Sequence, residues 1–428
     1  MNKILDLFKR PRPHKWRTIF VIWLGWALVM VGYQAYVIGR FNLQSPDRAL
    51  SWTETGTLPN YQAGMTYLLN PFMNDHVAWD SEYYLSIAIG GYHDPIMRAI
   101  PENYSWNNPV VMPQAAQPSW VSMNYAFFPF YPIMIHLFAL PLSVFGMNPI
   151  ATATLAGVLV SMLGTLGAML ALYDMARDKD EMDGLRAAFY LIIFPAAMFL
   201  AQVYTEGLFL GLSFGALALV RRKRWIWAAI LAACATLTRA AGGLLLVPMG
   251  LYWLKDGGLK QLFSRNWWKE GLRLLLVASP VWAYLLFVAV LGKGFHSIET
   301  NFFGRGLLLV GQSWSAWKDA FGRMLSANLQ ARTYFMVEFG AIAFGLLACI
   351  WMFKREPILT VYSLLTIVFS LTSGGAQGMH RYVMAAPVLF LLPARWGKRE
   401  SFDRVWTLAN VLLMGVFAIL FSFNLWAG

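Results

Sequence analysis

Charge and cysteine are scarce in this chain. Only 13% of its 428 residues are Asp, Glu, Lys or Arg, and it has two cysteines and six histidines. Cys234 and Cys349 fall in apolar runs far apart in sequence, which argues against a structural disulfide, and no zinc-ligand spacing exists. There is no phosphate-binding glycine loop and no dinucleotide fingerprint leading into a sheet. An enzyme of this form would therefore draw an activated substrate from the membrane itself. Internal repeats, low-complexity tracts and a separate soluble domain are also lacking.

What the chain has is apolar surface: 58% of residues are hydrophobic and 16% aromatic. Several runs approach the roughly 20 apolar residues needed to cross a bilayer. They are continuously apolar rather than alternating, which excludes a barrel. The sequence predicts an all-α, polytopic helical membrane protein, one integral membrane domain over 1–428 with about eleven spans: 16–38, 149–173, 187–202, 206–220, 225–238, 241–254, 273–291, 333–353, 357–372, 382–392 and 405–423. The stretch 127–145 is left open, either lying along the interface or entering only partly, because Pro129, Pro132 and Pro141 interrupt it. No small-residue cleavage site closes the first apolar run, which reads as an uncleaved span.

The net charge of +12 sits mostly in short connectors: Lys9, Arg10, Arg12, Lys15 and Arg17; Arg221, Arg222, Lys223 and Arg224; Lys354 and Arg355; Arg395, Lys398, Arg399 and Arg404. That distribution follows the positive-inside rule rather than a nucleic-acid footprint, so no nucleic-acid partner is expected. With eleven spans all four clusters face the cytoplasm. The loop 39–125 is then extracytoplasmic, as is a second loop at 292–332 that holds His296, Glu299, Arg305, Trp314 and Trp317. Long ordered loops usually carry function.

The same topology brings Asp80, Tyr204, Thr205, Glu206, Thr238, Arg239, His380 and Arg381 to the extracytoplasmic face. Polar residues at membrane depth are costly, and their arrival on one face suggests a shared pocket. Asp80 is the candidate catalytic carboxylate. Trp79, Tyr83 and Tyr84 around it would desolvate it, raising its pKa and making it a better proton acceptor. It serves equally as the N-cap of a short helix from about 81 to 89. Glu206 either complements a helix dipole or positions substrate or metal. Arg239 either snorkels to the headgroups or grips a phosphate. Arg381 reads as a phosphate clamp after the Gly374–Gly375 bend, and His380 either joins it on the donor phosphate or is merely solvated. His93 and Asp94 either add to a metal site with Asp80 and Glu206 or make a turn. A divalent cation, magnesium or manganese, is thus an open expectation. The aromatic run Tyr125 to Tyr131, with Phe128, either stacks on a sugar or lipid or belongs to an interfacial belt, as Trp314 and Trp317 do. Trp79, Tyr84, Tyr125, Phe128, Tyr204, Glu206 and Arg305 complete the expected substrate contacts.

The order Trp79-Asp80-Ser81-x-x-Tyr84-x-x-Ile87-Ala88-x-x-Gly91-Tyr92, followed by Ala126-Phe127-Phe128-Pro129-x-Tyr131-Pro132, resembles the PIG-V-type mannosyltransferases, a family that includes GPI mannosyltransferase II and bacterial relatives. Phe194-Pro195-Ala196, Val203-Tyr204-Thr205-Glu206, Ala235-Thr236-Leu237-Thr238-Arg239 and His380-Arg381-Tyr382 are similar too, so the resemblance runs to about Pro393. It implies a GT-C glycosyltransferase: an inverting, membrane-embedded enzyme with an extracytoplasmic site and a polyprenyl-phosphate-mannose donor. The acceptor would be a lipid-linked or exported hydroxyl. The family's catalytic base carries onto Asp80. Gly90, and Ala240-Ala241-Gly242 after Arg239, depart from the pattern and touch acceptor fit more than the base. The expected location is the plasma membrane of a bacterium or the endoplasmic reticulum of a eukaryote. The rival class is a transporter or flippase of a lipid-linked sugar, which should place polar groups at both faces and the midplane. A non-catalytic assembly subunit is the third.

Overall fold

The computed structural model describes residues 16–43, 46–58, 60–101, 112–113, 120–177, 180–265 and 267–428. The basic residues Lys9, Arg10, Arg12 and Lys15 lie outside them. Among the described residues the chain is mostly helical, as expected, with one addition. In the first long loop a three-stranded antiparallel sheet pairs Arg98–Pro101 with Met112–Pro113 on one side and Trp120–Ser122 on the other, with Ala99 opposite Ser122.

Four helices among the described residues are long and apolar enough to span a membrane: Trp16–Arg40, Pro149–Ala176, Leu329–Met352 and Glu400–Ser422. Two bent pairs raise the number to six. The expectation of eleven came from apolar runs, and hydropathy does not register a break within a run. The run 187–202 is the helix Glu181–Ile193 followed by a 3-10 turn at Pro195–Ala201, bent by 80°. Pro195 lacks an N–H and cannot continue the helix. The run 382–392 is likewise split among Met379–Tyr382, a 3-10 turn at Val383–Ala385 and Val388–Trp396. The stretch 127–145 holds the helix Phe130–Leu142, 13 residues long and short for a span. The second expected loop is largely helical: Ser279–Asn301 runs into it and Val310–Met324 follows. Trp314 on that helix is 74% exposed, whereas Trp317 donates to the carbonyl of Leu371 at 3.1 Å.

Three basic clusters meet at one end. Arg221 and Arg395 approach the two oxygens of Glu356 at 3.3 and 3.9 Å, beside Lys354 and Arg355. At the core, Pro149–Ala176 and Glu206–Arg221 pack backbone to backbone. A Cβ on Gly207 would stand 2.1 Å from the Ser161 carbonyl, and one on Gly211 2.3 Å from that of Gly164. Small residues permit this approach where lipid supplies no hydrophobic drive between helices. Gly211→Val should therefore cost at least about 1–3 kcal/mol, seen as a lower unfolding temperature in detergent. An unchanged temperature would mean the two helices are not this close.

Candidate active site

The packing of those two helices fixes the start of Glu206–Arg221, and the chain around it is tied to the loop bearing Asp80. Val203 N–H donates to the His76 carbonyl at 3.1 Å, and the Ser81 hydroxyl donates to the Val203 carbonyl at 3.1 Å. Ser161 donates to the Tyr204 carbonyl at 2.7 Å. Trp79 has a left-handed backbone (φ 52°) and its indole is held edge-on between Trp52 and Trp426, at 5.6 Å from each. This conformation is costly for a bulky residue and persists only where the surroundings impose it. It turns the chain at Asp80, the residue before the helix Ser81–Gly90.

Asp80 stands at the N-cap position but makes no capping hydrogen bond. Its side chain lines a cavity of about 790 Å³ instead, while its N–H donates to the Tyr204 hydroxyl at 3.2 Å. Desolvation pushes its carboxyl above the usual range, opposed by the positive charge of Arg381 and Arg305. Other charged and polar side chains meet it there, among them Glu206, Arg239, Arg305, Arg381 and Tyr382. Together with Asp80 they come from five separate stretches of chain.

Glu206 is buried and sits in the first turn of its helix. Oε1 takes a charge-assisted hydrogen bond from Arg239 and lies 3.3 Å from Arg381 Nε, while Oε2 is buried without a partner. The Tyr382 hydroxyl lies 2.6 Å from Arg305 Nη1 and 3.0 Å from Arg381 Nη2. Three guanidinium carbons thus ring one phenol, at 5.1 Å for Arg239, 5.6 Å for Arg305 and 4.9 Å for Arg381. Much of the remaining wall is apolar, with Phe128, Leu244, Tyr284, Phe295 and Phe369, and it also carries His296 and Glu299. A cavity with a cationic end and an apolar body fits an anionic headgroup on a hydrocarbon tail.

Of the residues expected from sequence, Asp80, Tyr84, Phe128, Glu206, Arg239, Arg305 and Arg381 line this cavity. Tyr204 lies against it, holding Asp80 from behind. Trp79 faces its tryptophan cluster. His380 does not reach the cavity: its Nε2 donates to the Ala427 carbonyl at 2.7 Å and its Nδ1 lies 3.2 Å from Glu338. Tyr125 and His93 bond one another at 2.9 Å, away from Asp80. Asp94 is enclosed by the hydroxyls of Tyr67 and Ser86. His93 and Asp94 thus do not line the cavity that holds Asp80 and Glu206. Among the described residues no three His, Cys, Asp or Glu side chains gather as a metal site would require. Tyr382 stood in the sequence only as part of the His380-Arg381-Tyr382 motif, with no role of its own. Glu299 was named only as a loop residue, and it lines the cavity too.

Residues 101–296 match the family described as Mannosyltransferase (PIG-V). The resemblance read from the motifs is borne out. The matched stretch carries Phe128, Glu206 and Arg239, while Asp80, Arg305 and Arg381 lie outside it. The PIG-V match supports a glycosyltransferase. No curated protein matches the chain. Among solved structures it is similar to ArnT from Cupriavidus metallidurans in the apo state, at 14% identity and a TM-score of 0.44, over 85% of this chain and 74% of that one. It is also similar to the apo oligosaccharyltransferase of Archaeoglobus fulgidus, at 12% identity and a TM-score of 0.49, over 94% of this chain and 56% of that one. Cupriavidus ArnT bound to undecaprenyl phosphate is similar at 12% identity and a TM-score of 0.43, over 85% and 75%. None of these likenesses bears on individual side chains.

Proposed function

We propose that the protein is an inverting, GT-C-like mannosyltransferase that moves mannose from a polyprenyl-phosphate donor to a hydroxyl of a lipid-linked or exported acceptor, at the extracytoplasmic face of a membrane. The observation that carries this reading is the convergence of the desolvated Asp80 carboxylate and three guanidiniums on one cavity with largely apolar walls. Asp80 takes the proton of the acceptor hydroxyl as its oxygen attacks the anomeric carbon. The bond from that carbon to the phosphate oxygen breaks, and the electron pair leaves with the polyprenyl phosphate. Arg381, with Arg305 and Arg239, meets the charge that develops there. Glu206 keeps two of these guanidiniums in place and offers its unpartnered Oε2 to sugar hydroxyls. The lipid tail lies along Phe128, Tyr284 and Phe369. A divalent cation would find only Asp80 and Glu206 of the expected ligands here. The test is transfer by purified protein from polyprenyl-phosphate-mannose to a lipid acceptor with inverted anomeric configuration. No transfer, or a retained configuration, overturns the proposal.

A pH dependence follows from Glu299, which lies beyond the apolar part of its helix that ends at Gly292. Desolvation lifts its carboxyl to about 7, against the pull of Arg305. Below about 7 it is neutral, and above it is an anion facing the cavity, whereas a phosphodiester donor keeps one negative charge throughout. The donor KM should therefore rise as pH goes from 6 to 8, and Glu299→Gln should flatten that rise. Identical KM profiles for the two proteins would contradict the placement of the phosphate at this end.

A further inference from the structure

Among the buried carboxylates with no part in the transfer step, Glu338 is the one bonded to the turn that bears Arg381. Glu338 lies in the interior of Leu329–Met352, one of the four helices able to span a membrane, and is 0% exposed. A carboxylate in such a place is expensive unless its oxygens are engaged. Oε1 accepts from the Tyr334 hydroxyl and from Gly378 N–H at 2.6 Å. Oε2 accepts from His380 N–H at 2.9 Å, and His380 Nδ1 stands 3.2 Å away without hydrogen-bond alignment.

Two of these donors are main-chain groups of a single turn. It begins at Gly378, whose φ of +75° is left-handed, and continues through the four-residue helix Met379–Tyr382. That turn delivers Arg381 and Tyr382 to the cavity. Four residues make too short a helix to hold its own shape, so what fixes the turn must come from outside it. The hydroxyl of Tyr334 extends the brace further. It accepts from the Trp426 indole at 3.1 Å, and Trp426 packs edge-on against Trp79, the neighbour of Asp80. One carboxylate is thereby connected to both sides of the site.

We propose that Glu338 is a positioning residue for the phosphate clamp: by bonding the backbone of residues 378 and 380 it sets the direction of Arg381. This rests on the transferase reading, which alone gives Arg381 a phosphate to hold. A carboxylate that merely joined the span to the turn would affect stability on any background and would not act through Arg381.

The experiment is a double-mutant cycle on the full chain in detergent. It compares wild type, Glu338→Gln, Arg381→Ala and the double variant, and reads the dissociation constant for polyprenyl phosphate. Glu338→Gln should weaken binding roughly tenfold, the scale of one lost hydrogen bond to a charged group. On the Arg381→Ala background the same change should add less than about twofold. An equal loss on both backgrounds, or no loss in Glu338→Gln, overturns the proposal. If Glu338→Gln does not fold, Tyr334→Phe takes its place. It keeps the carboxylate and removes one donor, and a smaller loss confined to the Arg381 background is expected. Unchanged binding by Arg381→Ala alone would instead remove the transferase reading on which the proposal stands.

Discussion

Asp80→Asn lowers transfer by about two to four orders of magnitude, the usual worth of a positioned proton acceptor, and leaves the protein at least as stable as before. The second half of this result separates the two roles open to the residue. A capping aspartate lost to a weaker partner would cost stability. Asp80 makes no such bond. Its carboxyl is pushed above the usual range by desolvation. A carboxyl raised in the folded state favours folding below its folded pKa and disfavours it as pH rises through that value. Removing the charge should therefore relieve the fold at neutral pH. Steady-state transfer and thermal unfolding, measured on the same preparation, check both parts. Normal turnover, or a lower melting temperature with partial activity, would return Asp80 to a structural role.

Arg381→Ala should cost on the order of 10²–10³ in kcat, as removal of a single stabilising donor does in other transfer reactions. The Arg381 side chain is 6% exposed, and its guanidinium lies over the rings of Phe199, Tyr204 and Tyr382 at 5.0, 5.4 and 4.9 Å. Three aromatic faces and Glu206 fix its plane, so its worth lies in direction as well as charge. Arg381→Lys should recover little, since an ammonium restores the charge without the planar fork. Glu206 keeps Arg239 as a partner in both variants, so the fold should survive. The measurement is kcat and donor KM for the two variants. Full activity with lysine would show that charge alone matters there.

The parts of this account that could be read from sequence are those in which chemistry and local pattern coincide. Asp80 among Trp79, Tyr83 and Tyr84 was visible because a carboxylate inside an aromatic cluster is unusual anywhere. Glu206, Arg239 and Arg381 stood out as charges interrupting apolar runs. The rest depended on pairings between distant residues. Glu338 looks like one more charge near the start of a span, and only its contact with residues 378 and 380 gives it meaning. His380 sits beside Arg381 in sequence, yet a helical turn points neighbouring side chains in different directions, and His380 meets Ala427 rather than the cavity. The 80° bend after Ile193 and the short strands at 98–122 do not change the mean hydropathy, so counting apolar runs does not find them.

If the transferase reading holds, the arginine-lined part of the cavity receives a lipid phosphate facing Asp80. The most direct measurement is a density map of the protein with polyprenyl phosphate bound. Phosphate oxygens are expected within about 3 Å of the Arg381 guanidinium, with the lipid passing between Phe128 and Phe369 and Asp80 across the space the sugar would fill. A phosphate bound away from the three arginines, or a lipid tail leaving the cavity by a route that does not touch its apolar walls, would contradict that reading.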